Sequence, residues 1–98
     1  MIDLKNEYIE EIKAILSKHA MGIEVRMFGS RVNKKARPNS DIDLVLIDKN
    51  KISFSKLNEI KQVFSESNIP YIVDVIDWHS ISESFQNIIL ENYIVLQK

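Results

Sequence analysis

"FGSRVNKKARPNSDIDLVLID", Phe28 to Asp48, is the stretch on which the reading of this chain turns. One of only two glycines stands in the pair Gly29-Ser30, directly behind the alternation Ile23, Val25, Met27. A polar loop with Arg31, Lys34, Lys35 and Arg37 follows, and it ends in Asp41 and Asp43 at the mouth of a second apolar run. The alternation reads as a strand ending at Gly29. "DIDLVLID" reads as a strand buried on both faces beyond its first few residues. Val32 to Ser40 is a polar connection containing Pro38, with a short helical turn expected just after Ser30. Such a loop leaves little room for a crossover, so the two strands are expected to be antiparallel neighbours. Gly29-Ser30 and the two aspartates then meet at one edge of the sheet.

Outward from this stretch, Leu4, Tyr8, Ile9, Ile12, Ile15 and Leu16 recur at helical spacing, with Asp3 placed to cap the start. Phe54, Leu57, Ile60, Val63 and Phe64 form the stripe of a second long helix that ends near "SNIP". "YIVDVIDW" is a third strand. A helix of about a dozen residues separates it from the second strand, so those two are expected to run parallel. Ile81, Phe85, Ile88 and Ile89 suggest a last helix, and "YIVLQK" a short final strand. The order α-β-β-α-β-α plus one strand predicts an α/β (α+β) fold with a mixed three- to four-stranded sheet packed by helices. No repeat, linker or low-complexity tract divides residues 1–98, so a single domain is expected.

Composition removes several function classes. Hydrophobic residues at 45% and charged residues at 28% describe a globular chain rather than a disordered one. No apolar stretch approaches the roughly 18 residues of a membrane span, and "MIDLKNEYIEEI" is amphipathic and acidic, unlike a signal peptide. With no cysteine, disulfides and thiolate metal sites are excluded, and the cytoplasm is the expected compartment. A net charge of −1 argues against a generally basic nucleic-acid binder, so no direct nucleic-acid binding and no membrane partner are expected.

The aspartates carry the chemistry. One residue apart in a strand, Asp41 and Asp43 emerge on the same face about 6–7 Å apart at the backbone. Carboxylates that close raise each other's pKa unless something positive offsets them. Mg²⁺ is the economical partner, because it prefers carboxylate oxygens and keeps positions for water and substrate phosphates. "YIVDVIDW" offers Asp74 and Asp77 as a third carboxylate, and these face opposite sides of their strand. Asp74, nearer the strand start, is the one expected to join the pair, and Asp77 is expected to be structural or solvent-facing. Gly29-Ser30 suits a phosphate seat, since glycine permits a sharp bare turn and amides opening a helical turn bind anionic oxygens. A phosphate cradle beside a metal-binding carboxylate cluster points to phosphoryl or nucleotidyl transfer. Plainer readings stand beside this one. An Asp-x-Asp alone is often a solvated strand cap, and an EF-hand fits poorly because Val45 stands where an oxygen ligand belongs. His19 and His79 are isolated and read as structural, and Ser40 reads as a cap on the loop ahead of Asp41.

Gly29-Ser30, ten intervening residues and Asp41-Ile42-Asp43 resemble the signature of the DNA polymerase β-like nucleotidyltransferase superfamily. The fuller "FGSRVNKKARPNSDIDLVL", with "IVDVIDW" and "SESFQNIILENYIVL" after it, resembles its minimal branch, the MNT antitoxins of HEPN–MNT toxin–antitoxin pairs. The resemblance implies that Asp41 and Asp43 bind the metals, two Mg²⁺ ions, and that Asp74 completes the cluster and assists deprotonation of the acceptor hydroxyl. It implies that Gly29 and Ser30 hold the β- and γ-phosphates of ATP; of the loop cations, which also read as a plain solvated surface, Arg31 and Arg37 are the candidates for further phosphate contact. It also implies a partner, a cognate HEPN ribonuclease toxin, to a tyrosine of which AMP is transferred. The branch usually carries a second arginine and a glycine where this chain has Asn33 and Lys34. Antibiotic- and RNA-modifying relatives hold the acceptor with a second domain, and a chain this short is expected to rely on the partner to present it. Two alternatives are a non-catalytic antitoxin that only binds the toxin, and transfer to a small molecule or an RNA end.

Overall fold

The computed structural model describes all 98 residues. In chain order they form α1 (Asn6–His19), β1 (Glu24–Phe28), β2 (Ile42–Ile47), α2 (Phe54–Ser65), β3 (Val73–Asp77), a 3₁₀ turn (Trp78–Ser80), α3 (Glu83–Glu91) and β4 (Ile94–Gln97). The sheet order is β3-β2-β1-β4. β1 is antiparallel to both β2 and β4, and β2 is parallel to β3. The expected mixed sheet is present with its fourth strand, and both strand directions that the connection lengths imply are observed.

Strand alternation divides the core in two. Val25 and Met27 of β1, Ile42, Leu44 and Leu46 of β2 and Val75 of β3 pack with Ile12 and Leu16 of α1 and Ile60 and Phe64 of α2. The opposite face carries Phe28 and Val45, covered by Ile89 of α3 with Trp78 and Phe85 alongside. Phe28 and Phe85 meet edge to face at 5.9 Å. Each fully buried aliphatic or aromatic side chain here contributes about 1.5–3 kcal/mol relative to exposure. Leu44, Val45 and Leu46 are all fully buried, which makes β2 the two-faced central strand that its unbroken apolar run predicts.

Serines start two of the helices. Ser53 Oγ accepts from the Lys56 amide and Ser82 Oγ from the Phe85 amide. Three expectations need correction. Asp3 does not cap α1, which starts after Lys5 with no side-chain cap; its amide instead donates to the Arg31 carbonyl at 2.7 Å. Phe54 is 80% exposed, because Ile52, just ahead of the Ser53 cap, fills the space beneath the helix start. Ile88 is exposed because adjacent helical positions lie about 100° apart, and Ile89 takes the inward one.

Candidate active site

Backbone geometry brings the two halves of the opening stretch together. β1 ends at Phe28, and Gly29 then takes φ +81°, a left-handed conformation that L side chains resist. The Gly29 carbonyl accepts from the Val32 and Asn33 amides, both at 3.0 Å, and the Ser30 carbonyl accepts from Lys35. The expected helical turn is therefore a single turn. Lys34, at φ 67°, stops it by leaving helical geometry. A lysine thus takes up a left-handed position that the resemblance implies for glycine. Downstream, Ser40 Oγ accepts from the Arg37 amide at 2.8 Å and the Ser40 amide donates to the Arg37 carbonyl, which closes the loop directly ahead of Asp41. Ser40 thus caps the loop as its position suggests.

Register sets the carboxylates beside this turn. Phe28 pairs with Asp43 across β1–β2, and Asp43 pairs with Asp74 across β2–β3. Asp41 and Asp43 alternate with the buried Ile42 and Leu44, so they share the α3 side of the sheet, just beyond the covered Val45. Asp41 and Asp74 are exposed and Asp43 is partly buried. A Cβ added at Gly29 would collide with Asp43 Oδ2 and come within 3.1 Å of Cγ. The glycine is therefore required twice, by its dihedral angle and by the carboxylate packed against it.

Electrostatics mark Asp43 as the strained member. Burial, then the charges of Asp74 and Asp41, push its pKa from 3.8 up to about 6. No lysine, arginine or histidine lies within 4 Å of any of the three, since the ion pairs of the chain are His19–Glu59, Arg26–Glu24 and Lys56–Glu59. An aspartate cluster without a cation suits a hard divalent ion held partly by carboxylate oxygens. No three acidic or histidine side chains converge closely enough to enclose a metal by themselves. A divalent ion at this cluster would need water or substrate oxygens to complete its coordination.

The loop cations divide. Lys34, Lys35 and Arg37 are exposed, whereas Arg31 is 5% exposed. Arg31 donates from Nη2 to the carbonyls of Ser40 (2.9 Å) and Pro38 (3.3 Å), from Nε to Ser40 (3.3 Å) and from Nη1 to Asp3 (3.1 Å). Its Cζ lies 4.4 Å from the centre of the Tyr71 ring. A guanidinium so occupied has almost no donor left for a phosphate, so the structure gives Arg31 a different task from the one expected. Sequence reasoning missed Tyr71, and no local signal marks it, since its partner lies forty residues away in the chain.

Asp77 faces away from the cluster, as the spacing of Asp74 and Asp77 requires. Only 2% exposed, it accepts from the Ile52 and His79 amides and from Ser80 Oγ, tying the start of α2 to the end of β3. The histidines have structural partners: His79 Nε2 lies 2.7 Å from the Asp48 carbonyl, and His19 Nδ1 lies 3.6 Å from Glu59.

A glycine-serine turn packed on a strand-borne pair of aspartates, with a third on the parallel neighbour, defines a nucleotidyltransferase. The chain belongs to the polymerase β nucleotidyltransferase family, whose model, described as "Polymerase beta, Nucleotidyltransferase", matches residues 10–98. Within that family it is a homologue of a protein adenylyltransferase. It is 39% identical to a probable protein adenylyltransferase MntA of Haemophilus influenzae, over 99% of this chain and 85% of the relative. Solved structures share the fold. One is a toxin–antitoxin crystal structure with AMP-PNP (TM-score 0.75, 22% identity, 94% of this chain and 73% of that one). Another is a tri-AMPylated HEPN toxin of Shewanella oneidensis in complex with its MNT antitoxin (TM-score 0.73, 19% identity, 95% and 71%).

Proposed function

We propose that this chain transfers AMP from ATP to a tyrosine hydroxyl of a cognate HEPN toxin and thereby silences it. The observation that carries the proposal is the contact of Gly29 with the Asp43 carboxylate, which sets a phosphate-binding turn and a carboxylate cluster side by side. The Gly29-Ser30 turn holds the β- and γ-phosphates with backbone amides and the Ser30 hydroxyl, and the exposed Arg37 adds positive charge. Asp41, Asp43 and Asp74 together offer the oxygens for two Mg²⁺ ions. Bound there, Mg²⁺ supplies charge neutralisation at the triphosphate and eases ionisation of the acceptor hydroxyl. The acceptor oxygen attacks the α-phosphorus in line, the bond to the β-bridging oxygen breaks, and pyrophosphate leaves. The tyrosine proton passes toward Asp74, an exposed carboxylate of the cluster on the neighbouring strand β3. Because the cluster opens to solvent rather than into an enclosed pocket, the acceptor comes from a docked protein. No helix is long and apolar enough to cross a membrane, and we place the reaction in the cytoplasm.

Position-specific labelling tests the reading. The chain is incubated with Mg²⁺, the partner toxin and ATP labelled at either the α- or the γ-phosphate. Label entering the toxin from the α position only supports AMP transfer, and label from the γ position would replace it with a kinase. Label on RNA or a small molecule, with none on the toxin, would reassign the acceptor.

A further inference from the structure

We infer that Arg31 is a positioning residue for the transfer reaction: its buried guanidinium fixes the nucleotide-holding turn against the metal-binding strand. The inference rests on the nucleotidyltransferase reading of the site and adds a residue that neither touches substrate nor binds metal.

One side chain joins four segments. Arg31 itself follows Ser30 in the turn, so its backbone moves with the phosphate seat. Two of its bonds end on the Ser40 carbonyl, which belongs to the peptide that leads into Asp41, and a third ends on Pro38. Its face rests on Tyr71, three residues ahead of Asp74. The Ile72 carbonyl next to Tyr71 accepts from the Ile42 amide at 2.9 Å, so the entry to β3 is also bonded to the residue between Asp41 and Asp43. On the far side, Nη1 reaches the Asp3 carbonyl, while the Asp3 amide returns a bond to Arg31's own carbonyl. Every element of the site is thus referred to one rigid planar group.

Packing alone does not explain an arginine here. A buried cation without a carboxylate loses hydration that no ion pair restores, and Arg31 forms none. Carbonyl dipoles and an aromatic face hold its charge instead. The geometry demands donors pointing in opposed directions, to Ser40 and Pro38 on one side and Asp3 on the other. A guanidinium fork supplies them; the single ammonium of lysine cannot span both. Loss of the clamp lets the turn and the Asp41 strand drift relative to each other, and a displacement of ~1 Å in such a site costs about 10²-fold in rate.

Four variants of the full chain test this: Arg31→Lys, Arg31→Ala, Tyr71→Leu and Tyr71→Phe. Trypsin cleavage after Lys34 and Lys35 under native conditions reads the clamp without needing activity. Cleavage there is expected to accelerate about tenfold in Arg31→Lys, Arg31→Ala and Tyr71→Leu, while cleavage after Lys61 in α2 stays at the wild-type rate. Parallel acceleration at Lys61 would show global unfolding and overturn the local clamp. In the AMP-transfer assay, the same three variants should lose about 10- to 100-fold in kcat. Their KM for ATP should stay within about threefold of wild type, and half-activating Mg²⁺ should rise, which a smaller folded fraction alone would not produce. Tyr71→Phe keeps the stacking face and should match wild type. A KM rise in Arg31→Ala that Arg31→Lys repairs, with Tyr71→Leu unaffected, would make Arg31 a phosphate ligand and refute the positioning role. If wild type transfers no AMP, the functional reading fails, and the cleavage pattern still decides whether the clamp exists.

Discussion

Replacing Asp43 by asparagine should make the metal-free chain more stable while abolishing AMP transfer. Asp43 is ionised at neutral pH despite partial burial and two neighbouring carboxylates. The rise of its pKa from 3.8 to about 6 corresponds to a ceiling of ~3 kcal/mol, at 1.36 kcal/mol per pKa unit. Solvent screening at a half-exposed site reduces this to about 1–2 kcal/mol. The pH dependence has a definite sign. The folded chain holds the Asp43 proton more tightly than the unfolded chain does. That contribution to stability is fully present below pH ~4, declines as pH rises and is lost by the time pH has passed through about 6. Urea unfolding in chelator, with wild type and Asp43→Asn compared from pH 4 to pH 8, should show a gap that opens across this window and is constant above about pH 7. Mg²⁺ should then raise the unfolding free energy of wild type by RT ln(1 + [Mg²⁺]/Kd), and with it the urea midpoint, and leave the variant nearly unmoved. An asparagine variant less stable than wild type at pH 8, or a gap flat across the range, would refute the claim that burial and the neighbouring carboxylates make the Asp43 charge costly to hold.

Further perturbations test the supporting geometry. Gly29→Ala places a methyl group against Asp43 at a left-handed φ, and should cost about 1–3 kcal/mol by thermal unfolding and at least ~10²-fold in activity. Lys34→Gly relieves a left-handed lysine and should raise stability by up to ~1 kcal/mol, measured by urea midpoint. Asp77→Ala orphans the buried Ile52 amide and should cost about 2–4 kcal/mol, while the folded fraction keeps its half-activating Mg²⁺ concentration.

Much of this architecture was legible because it is written in local periods. The alternation through Ile23, Val25 and Met27 marked the first strand, and the short loop after it, with the helical connection between the second and third strands, implied the strand directions. Those directions in turn brought Gly29-Ser30, Asp41, Asp43 and Asp74 to one end of one face. Arg31 was not legible in the same way. A basic loop beside a phosphate seat reads as a phosphate arm, and only the tertiary approach of Asp3 and Tyr71, 28 and 40 residues away in the chain, turns one of its cations inward. Asp3 misled for the same reason: its backbone serves that clamp, although its side chain type suits a helix cap. Phe54 obeys the helical period of its neighbours but sits at the first position of α2, where Ile52 already fills the space below. The left-handed Lys34 left no trace in composition, because glycine would ordinarily announce such a position.

Intact-mass analysis of the partner toxin separates catalysis from mere binding most directly. The toxin is incubated with ATP, Mg²⁺ and either the wild-type chain or its Asp41→Asn/Asp43→Asn double variant. The account predicts toxin carrying AMP on a tyrosine with wild type and unmodified toxin with the double variant. A toxin bound and silenced by both chains alike, with no AMP attached, would contradict it.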